Sequence, residues 1–197
     1  SAVSWDHADL YPTEESYFNV FKKLIYGIPK NGFIVANKDN KKVNELVERA
    51  IWYGKDNADY TYRDIEQNSN GLNYIIENKG KSYEISSSMI GEFQAENITG
   101  CFAMAKELGI NENIIIESIK DFKSLKRRLE KRLDGENTEI GITVFDDIAH
   151  SPEKASSVLE NLRKIYKNKI ITVFEPNIGA RRKEILYKYD NAFRNTD

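Results

Sequence analysis

The chain has 197 residues and a mass of 22.7 kDa, and its 40% hydrophobic and 30% charged content excludes wholesale disorder and allows a sizeable core. Its 31 acidic and 29 basic residues give a net charge of −2, which excludes the basic surface that nucleic-acid partners require. No apolar run is long enough to span a bilayer, and Trp5-Asp6-His7 interrupts any apolar signal segment near the start, so we expect no membrane partner. The single Cys101 cannot form an internal disulfide, which favours a reducing, cytoplasmic compartment.

The first part of the chain alternates helix and strand patterns, which is typical of a parallel α/β unit. Residues 13–26 carry apolar residues at helical spacing behind Thr13, a suitable N-cap. A short strand of the buried type at 33–36 precedes a second helix, for which Asp39 is the predicted cap. The later segments are a hairpin over 73–77 and 81–85, a helix over 96–109 that ends at Gly109, and a helix over 111–122.

A basic stretch after residue 122 marks a predicted domain boundary, which divides the chain into 1–121 and 122–197. Beyond it, the pattern predicts a strand at 142–145, a helix that starts with Pro152, a strand at 169–174 and a last helix at 181–194. Strand, helix and strand together form a βαβ unit, so we expect a parallel sheet in the second domain.

Two loops of this unit are expected to meet at the carboxyl edge of the sheet, where open parallel sheets bind ligands. They cover residues 146–152 and 175–182, and together they offer carboxylates, an imidazole and two guanidiniums. A carboxylate there can accept ribose hydroxyls, and an arginine can hold a phosphate or a carboxylate. The alternative is that Asp147 and Ser151 only cap the helix that follows.

A second cluster lies near the start of the chain, where Asp6-His7-Ala8-Asp9 places three potential metal ligands together. Mg²⁺ would accept the carboxylates, whereas the histidine favours a softer ion. The alternative is an exposed polar loop. The sequence contains no G-x-x-x-x-G-K-[ST] phosphate loop and no G-x-G-x-x-G motif, so any phosphate site is either unconventional or outside this chain.

Four segments in one order carry a resemblance to a known family: Trp5-Asp6-His7-Ala8-Asp9, Gly91-Glu92-Phe93-Gln94-Ala95-Glu96-Asn97, Lys126-Arg127-Arg128-Leu129-Glu130, and Asp146-Asp147-Ile148-Ala149-His150-Ser151-Pro152. In this order the segments resemble the Mur ligases, which are ATP-dependent amino-acid and peptide ligases of peptidoglycan synthesis. The resemblance implies that 1–121 is the rear half of a central ATPase domain. Residues 122–197 would then be the front of a Rossmann-like C-terminal domain with a parallel sheet.

The resemblance also implies a role for each matching residue, with ATP and Mg²⁺ as cofactors. His7 corresponds to a magnesium-binding histidine, His150 to a catalytic histidine that faces the incoming amino group or its carboxylate, and Asp147 to an aspartate that reaches the ATP ribose. The remaining candidates are Asn97 and Arg128 near the nucleotide, and Arg181 and Arg182 for the carboxylate of the acceptor. Gln94 is a further nucleotide candidate: it departs from the family residue but keeps an amide side chain.

Within the family, Phe174-Glu175-Pro176 followed by Arg181-Arg182 looks most like the murein peptide ligase branch. That branch joins UDP-N-acetylmuramate to the recycled tripeptide L-alanyl-γ-D-glutamyl-meso-diaminopimelate through an acyl phosphate in the bacterial cytoplasm. One departure is Asn177, which stands where that branch usually has arginine. The alternatives are the branch that adds L-alanine, and a non-catalytic module that binds nucleotide or peptide. In either ligase branch we expect this chain by itself to be inactive.

Overall fold

A five-stranded sheet organises the first part of the molecule in the computed structural model, which describes residues 3–7, 9–137, 139–176 and 183–197. The strands stand side by side in chain order, with β1–β3 parallel and β3–β5 antiparallel. They are β1 Val35–Asn37, β2 Ile51–Gly54, β3 Tyr60–Asn68, β4 Gly71–Asn78 and β5 Lys81–Ser87. The predicted α/β class is confirmed.

Helix α1, Glu14–Tyr26, starts at the predicted cap and stays on the surface. Thr13 Oγ1 accepts a hydrogen bond from the Ser16 N–H at 3.1 Å, and Ser16 Oγ accepts from the Thr13 N–H at 3.3 Å. These reciprocal bonds form a capping box, which satisfies two amide groups that the helix itself leaves unpaired. None of the residues of α1 is buried, and Leu24 is 67% exposed.

Helix α2, Lys41–Leu46, connects β1 to β2, and its cap differs from the predicted one. The side chain of Asn40, rather than Asp39, accepts from the Val43 N–H at 3.0 Å. Asp39 instead accepts from the Lys55 N–H at 2.9 Å. The carboxylate of Asp39 is therefore drawn away from the helix toward the end of β2, and the neighbouring amide takes its place as cap.

Strands β2 and β3 are parallel although only residues 55–59 separate them, a far shorter connection than a parallel pair usually needs. The short return is possible because just two residue pairs lie in register, Tyr53 with Tyr60 and Gly54 with Thr61. Asp59 holds the loop from both sides: its carboxylate accepts from the Trp52 N–H, and its carbonyl accepts from the Asn78 side chain, each at 2.8 Å.

The predicted hairpin is confirmed between β4 and β5, with Lys79 and Gly80 in the turn. Both have positive φ, 49° and 77°, as a type I′ turn requires. At the other end of β4, Gly71 has φ 142° and lies so close to β5 that a Cβ would come 2.0 Å from the Ser87 carbonyl oxygen. Only glycine fits this approach of two backbones.

Helix α3, Glu92–Glu107, covers the sheet and begins four residues before the predicted start at 96. Phe102, Thr99 and Ala103 on its inner face are fully buried among the tyrosines and isoleucines of β2–β5. The helix ends as predicted, with Gly109 at φ 84°. Helix α4, Glu112–Asp121, then folds back and packs beside β5 through Ile115.

The second part of the chain differs from the predicted βαβ unit. Strand β7, Val144–Asp146, pairs antiparallel with β6, Glu130–Leu133, a strand that the charged sequence did not predict. Helix α5, Pro152–Ile165, follows with proline in its first turn, as predicted. Neither sheet of the described residues includes the expected strand at 169–174.

In the part of the chain that the structure describes, no strand pairs with residues 169–174. The backbone of Ile170 pairs instead with the last residue, where the Asp197 N–H donates to the Ile170 carbonyl at 2.9 Å and the Asp197 carboxylate accepts from the Ile170 N–H at 2.8 Å. Val173 in this segment is 99% exposed, so its side chain gains nothing from burial. A strand requires a ladder of such pairs on consecutive residues.

The predicted last helix at 181–194 is also different, because residues 183–189 form a 3₁₀ helix and turns follow it. Its first residues, 181 and 182, lie outside the described part of the chain. Phe174 packs edge-on against Tyr189 and Phe193 at centroid distances of 6.2 and 5.0 Å. None of the helices that the structure describes combines the length and the apolar character needed to cross a bilayer.

We expect Phe102→Ala to lower the free energy of unfolding by about 3–5 kcal/mol, because its ring is fully buried and its removal leaves a cavity against Tyr60 and Tyr83. The matched control is Met104→Ala on the outer side of the same helix, where the side chain is 38% exposed, and its loss should stay near 0.5 kcal/mol. Urea unfolding followed by tyrosine and tryptophan fluorescence measures both. Equal losses would contradict the assignment of Phe102 to the core.

Candidate functional site

Asp147 connects the end of β7 to the turn that precedes β6. Its Oδ2 accepts from the Leu129 N–H at 2.8 Å, its Oδ1 accepts from the Ala149 N–H at 2.7 Å, and the next residue, Ile148, donates its N–H to the Arg127 carbonyl at 2.8 Å. Arg127 and Leu129 have φ of 57° and 47°, a left-handed conformation that costs energy in residues with a side chain. The carboxylate thus holds a strained turn in place.

The hydrogen bonds do not support the alternative in which Asp147 and Ser151 only cap α5. Ser151 occupies the N-cap position, but its side chain makes no cap hydrogen bond. Both Asp147 oxygens bind amides outside the helix. Each carboxylate oxygen has a further lone pair, so an additional donor such as a ribose hydroxyl remains compatible with these bonds. The ribose role of Asp147 stays a prediction.

Arg128 lies within the same turn, between the two residues with positive φ. Its side chain is exposed, and its carbonyl accepts from Ser124 Oγ at 3.4 Å. Ser124 itself has φ 80°. The guanidinium therefore stands on a loop whose backbone is fixed from two directions, by Asp147 and by Ser124.

The loop before α5 and the loop near the start of the chain, predicted as separate clusters, lie together. The ring centroids of His7 and His150 are 6.5 Å apart. Between them, Lys154 Nζ donates to Asp6 Oδ2 at 2.8 Å and lies 3.2 Å from His150 Nε2. His150 Nδ1 lies 2.8 Å from the Ile148 carbonyl oxygen. Two histidines, a carboxylate and an ammonium thus form one polar cluster.

The pKa of Asp6 is lowered in this cluster. Partial burial acts to raise the pKa, but it is outweighed by the hydrogen bond from Lys154, the hydrogen bond from the His7 N–H and the positive charge of Lys154. Asp6 Oδ1 accepts from the His7 N–H at 2.8 Å, and His7 has φ 53°. The ionised form of Asp6 therefore holds the backbone of His7 in its left-handed conformation.

These residues do not make up a magnesium site among themselves. In the described part of the chain, no group of three or more His, Cys, Asp or Glu side chains could hold a metal ion. The carboxylate of Asp6 is already neutralised by Lys154, and Mg²⁺ prefers several oxygen ligands to a single imidazole. The magnesium role of His7 stays a prediction that would need ligands from elsewhere.

The nucleotide candidates Gln94 and Asn97 lie on the first turns of α3. Asn97 Nδ2 donates to Gln94 Oε1 at 3.3 Å, with Gln94 buried and Asn97 exposed. The Glu92 N–H donates to Asn161 Oδ1 at 2.7 Å, so this end of α3 meets α5 nine residues after Pro152. Nine helical residues span roughly 14 Å. The start of α3, which carries these candidates, therefore meets the later turns of α5 through Glu92, whereas His150 and Asp147 lie before the start of α5.

Arg181 and Arg182, the candidates for the acceptor carboxylate, lie outside the described residues.

The sequence analysis missed a polar cluster at the carboxyl ends of β1 and β2. Asn37 is buried, its Oδ1 accepts from the Asp39 N–H at 2.8 Å, and Tyr62 Oη donates to Asp39 Oδ2 at 3.4 Å. Glu96 of α3 hydrogen-bonds to Asn37, and burial raises the pKa of Glu96 against the opposing effect of that bond. The available signal was Asn37-Lys38-Asp39 directly after a predicted strand, at the edge where parallel strands end.

Comparison with known proteins gives two matching family models. The model described as "Mur ligase middle domain" matches residues 1–105, and the model described as "Mur ligase, glutamate ligase domain" matches residues 127–193. Two similar curated proteins are the UDP-N-acetylmuramate–L-alanine ligases of Clostridium acetobutylicum and Caldicellulosiruptor saccharolyticus. The first is 30% identical over 201 residues, which cover 99% of this chain and 43% of that protein. The second is 33% identical over 190 residues, which cover 92% of this chain and 40% of that protein.

A similar solved structure is the UDP-N-acetylmuramate–alanine ligase from Thermotoga maritima, with a TM-score of 0.77 and 22% identity. The match covers 98% of this chain and 42% of that protein, and it supports the fold. The chain thus spans about two fifths of the length of the curated relatives named above.

We expect Asp147→Ala to lower the free energy of unfolding by about 1–3 kcal/mol, because it leaves the amides of Leu129 and Ala149 without their acceptor. The neighbouring Asp146→Ala is the control, since Asp146 makes an exposed contact of 3.6 Å with Arg127 Nε that contributes little. Urea unfolding compares the two variants. If Asp146→Ala cost as much as Asp147→Ala, the structural role of Asp147 would be wrong.

A second prediction concerns pH and Glu96. The pKa of Glu96 is raised in the folded protein above its ordinary value of 4.5. The protonated carboxyl therefore contributes its full stabilisation below pH 4.5, and this stabilisation is lost as pH rises through the pKa of the folded state. Wild type should therefore lose stability relative to Glu96→Gln as pH rises above 4.5.

The control for this pH series is Glu112→Gln. Lys106 lowers the pKa of Glu112 through a hydrogen bond of 3.0 Å, so the wild type should instead gain on this variant as pH rises from acid conditions. Unfolding free energies across the pH range test both signs. A Glu96→Gln difference that grows in favour of wild type at higher pH would contradict the burial of that carboxyl.

Proposed function

The chain belongs to the Mur ligase family, and on that premise we propose that it is part of an ATP-dependent ligase that joins UDP-N-acetylmuramate to L-alanine. The observation that carries the proposal is the similarity to L-alanine ligases along 99% of the chain. Because this chain spans only about two fifths of those relatives, the activity belongs to a full-length protein that contains it.

This proposal replaces the tripeptide acceptor that Phe174-Glu175-Pro176 and the two arginines suggested. Both curated relatives compared above are named for L-alanine rather than for a peptide. The departure at Asn177, where the peptide-adding branch usually has arginine, agrees with the change of acceptor. The three-residue motif was too short to distinguish two branches that share the rest of the site.

The domain assignment is part of the proposal. Residues 1–121 would form the rear of the central ATP-binding domain and 122–197 the front of the C-terminal domain. The two family models support it, because one ends at residue 105 and the other begins at 127, on either side of the proposed boundary.

Mur ligases use ATP and Mg²⁺, and the proposed reaction proceeds by acyl activation. A carboxylate oxygen of the muramoyl group attacks the γ-phosphorus of ATP, so that ADP leaves and an acyl phosphate forms. The amine of L-alanine attacks the acyl carbon, the nitrogen loses a proton, and inorganic phosphate leaves as the amide forms.

Within this scheme the loop before α5 has two functions. Asp147, whose carboxylate is already oriented by two amide donors, accepts the ribose hydroxyls of ATP. His150 faces the amine of the acceptor and, as a neutral imidazole, can take its proton. Asp147 and His150 lie only three positions apart in the loop before α5. One movement of the second domain would therefore bring Asp147 to the nucleotide and His150 to the acceptor together.

The test is phosphate release by the full-length protein with ATP, Mg²⁺ and UDP-N-acetylmuramate, with either L-alanine or the tripeptide as acceptor. We expect release that depends on L-alanine and little with the tripeptide. His150→Ala should lower kcat/KM for L-alanine by roughly tenfold to a thousandfold, the range for loss of a general base, while the KM for ATP changes little.

A preference for the tripeptide would restore the peptide-adding branch. Binding of nucleotide without turnover of either acceptor would instead favour the non-catalytic alternative.

A further inference from the structure

Lys154 is the residue through which the two polar loops touch. It lies in the first turn of α5, 148 residues from Asp6 in the sequence, and its ammonium is within hydrogen-bond distance of Asp6 Oδ2 and of His150 Nε2. The side chains of Asp6 and His150 are 20% and 28% exposed, so the contact is partly shielded from water. None of the motifs in the sequence singled out this lysine.

The contacts of His150 indicate which of its two ring nitrogens carries a proton. A carbonyl oxygen only accepts, so Nδ1, at 2.8 Å from the Ile148 carbonyl, must carry a proton. An ammonium only donates, so Nε2, at 3.2 Å from Lys154 Nζ, must present its lone pair. These two contacts favour the tautomer that carries its proton on Nδ1 and directs the basic Nε2 to the lysine.

The position of Lys154 is unfavourable for the helix alone. The first turn of a helix carries partial positive charge, and a lysine there is normally disfavoured. Glu153 beside it does not offset this charge, because Lys188 Nζ binds the Glu153 carboxylate at 2.6 Å. Asp6, from a distant loop, supplies the compensating charge at 2.8 Å. A residue that is unfavourable for its own helix and is stabilised by a residue distant in sequence is typical of a functional position.

We propose that Lys154 is a positioning residue for His150: held by Asp6, it fixes the imidazole as the neutral Nδ1–H tautomer with Nε2 as the basic atom. The tautomer is a property of this chain alone. Its consequence for catalysis rests on the proposed function, because release of Nε2 by the lysine would present an oriented base to the acceptor amine.

The first test observes the tautomer directly in the 197-residue chain. The protein has two histidines, so ¹⁵N-histidine labelling gives two sets of imidazole signals, and His7→Gln assigns them. At mildly alkaline pH, long-range ¹H–¹⁵N spectra distinguish the nitrogen that carries the proton. We expect Nδ1–H for His150 in the wild type, a mixture with the Nε2–H form in Lys154→Met, and the wild-type pattern in Lys154→Arg, which can still donate to both partners.

The matched control is Lys164→Met. Lys164 lies on the same helix and binds Glu92 at 2.7 Å, so its loss removes a comparable ion pair far from His150. Backbone amide spectra verify that each variant is folded. A wild-type Nε2–H pattern, an unchanged His150 pattern in Lys154→Met, or an equal change in Lys164→Met would each overturn the proposal.

The second test measures kinetics in the full-length protein. Lys154→Met should lower kcat/KM for the acceptor by about tenfold with little change in the KM for ATP, and Lys154→Arg should recover most of the loss. If the wild-type protein turned over no acceptor, the proposed function would fail while the tautomer measurement still decided the role of Lys154. If turnover were normal in Lys154→Met, the positioning role would be wrong and the ligase function would stand.

Discussion

The inner face of α3 is the constraint on which most of the fold depends. This one helix packs against β1, β2, β3 and β4, so it holds the parallel and the antiparallel parts of the sheet together. The approach is close because Gly100 faces Tyr53, where a Cβ would lie 2.9 Å from Cζ of the ring. The first turn of the same helix also receives α5 through Glu92. The position of the second part of the molecule therefore follows from the packing of the first.

Polar contacts join the two parts, and among the described residues neither hydrophobic core cluster extends beyond Ile119. Asn161 and Lys164 bind the start of α3, Lys154 binds Asp6, and Lys131 Nζ donates to the Ser69 carbonyl at 2.9 Å. Such pairs are worth little individually when exposed, and they exchange for water at small cost. A junction of such contacts opens more easily than one made by hydrophobic burial.

The sequence predicted the elements whose signals are local. Thr13 and its helix, the Lys79-Gly80 turn and the proline start of α5 were found because each depends on neighbouring residues. Strand β6 was missed because Glu130–Leu133 is too charged to resemble a strand, and 169–174 was wrongly assigned because an apolar run cannot tell whether a neighbour exists. The candidate residues His7 and His150 were named, but their proximity and the contacts of Lys154 with Asp6 and His150 depend on chain segments far apart in sequence.

Helix α1 is capped by its own residues and buries none of them fully, although Ile25 packs against the small core cluster of Ala36, Val43 and Val47. A helix of 13 residues is marginal in water without tertiary support. Its amide protons should consequently exchange with solvent long before those of α3, whose opening requires the sheet to be uncovered. A molecule that binds the apolar side of α1 would slow the exchange of these amide protons, so their exchange rates would report such binding.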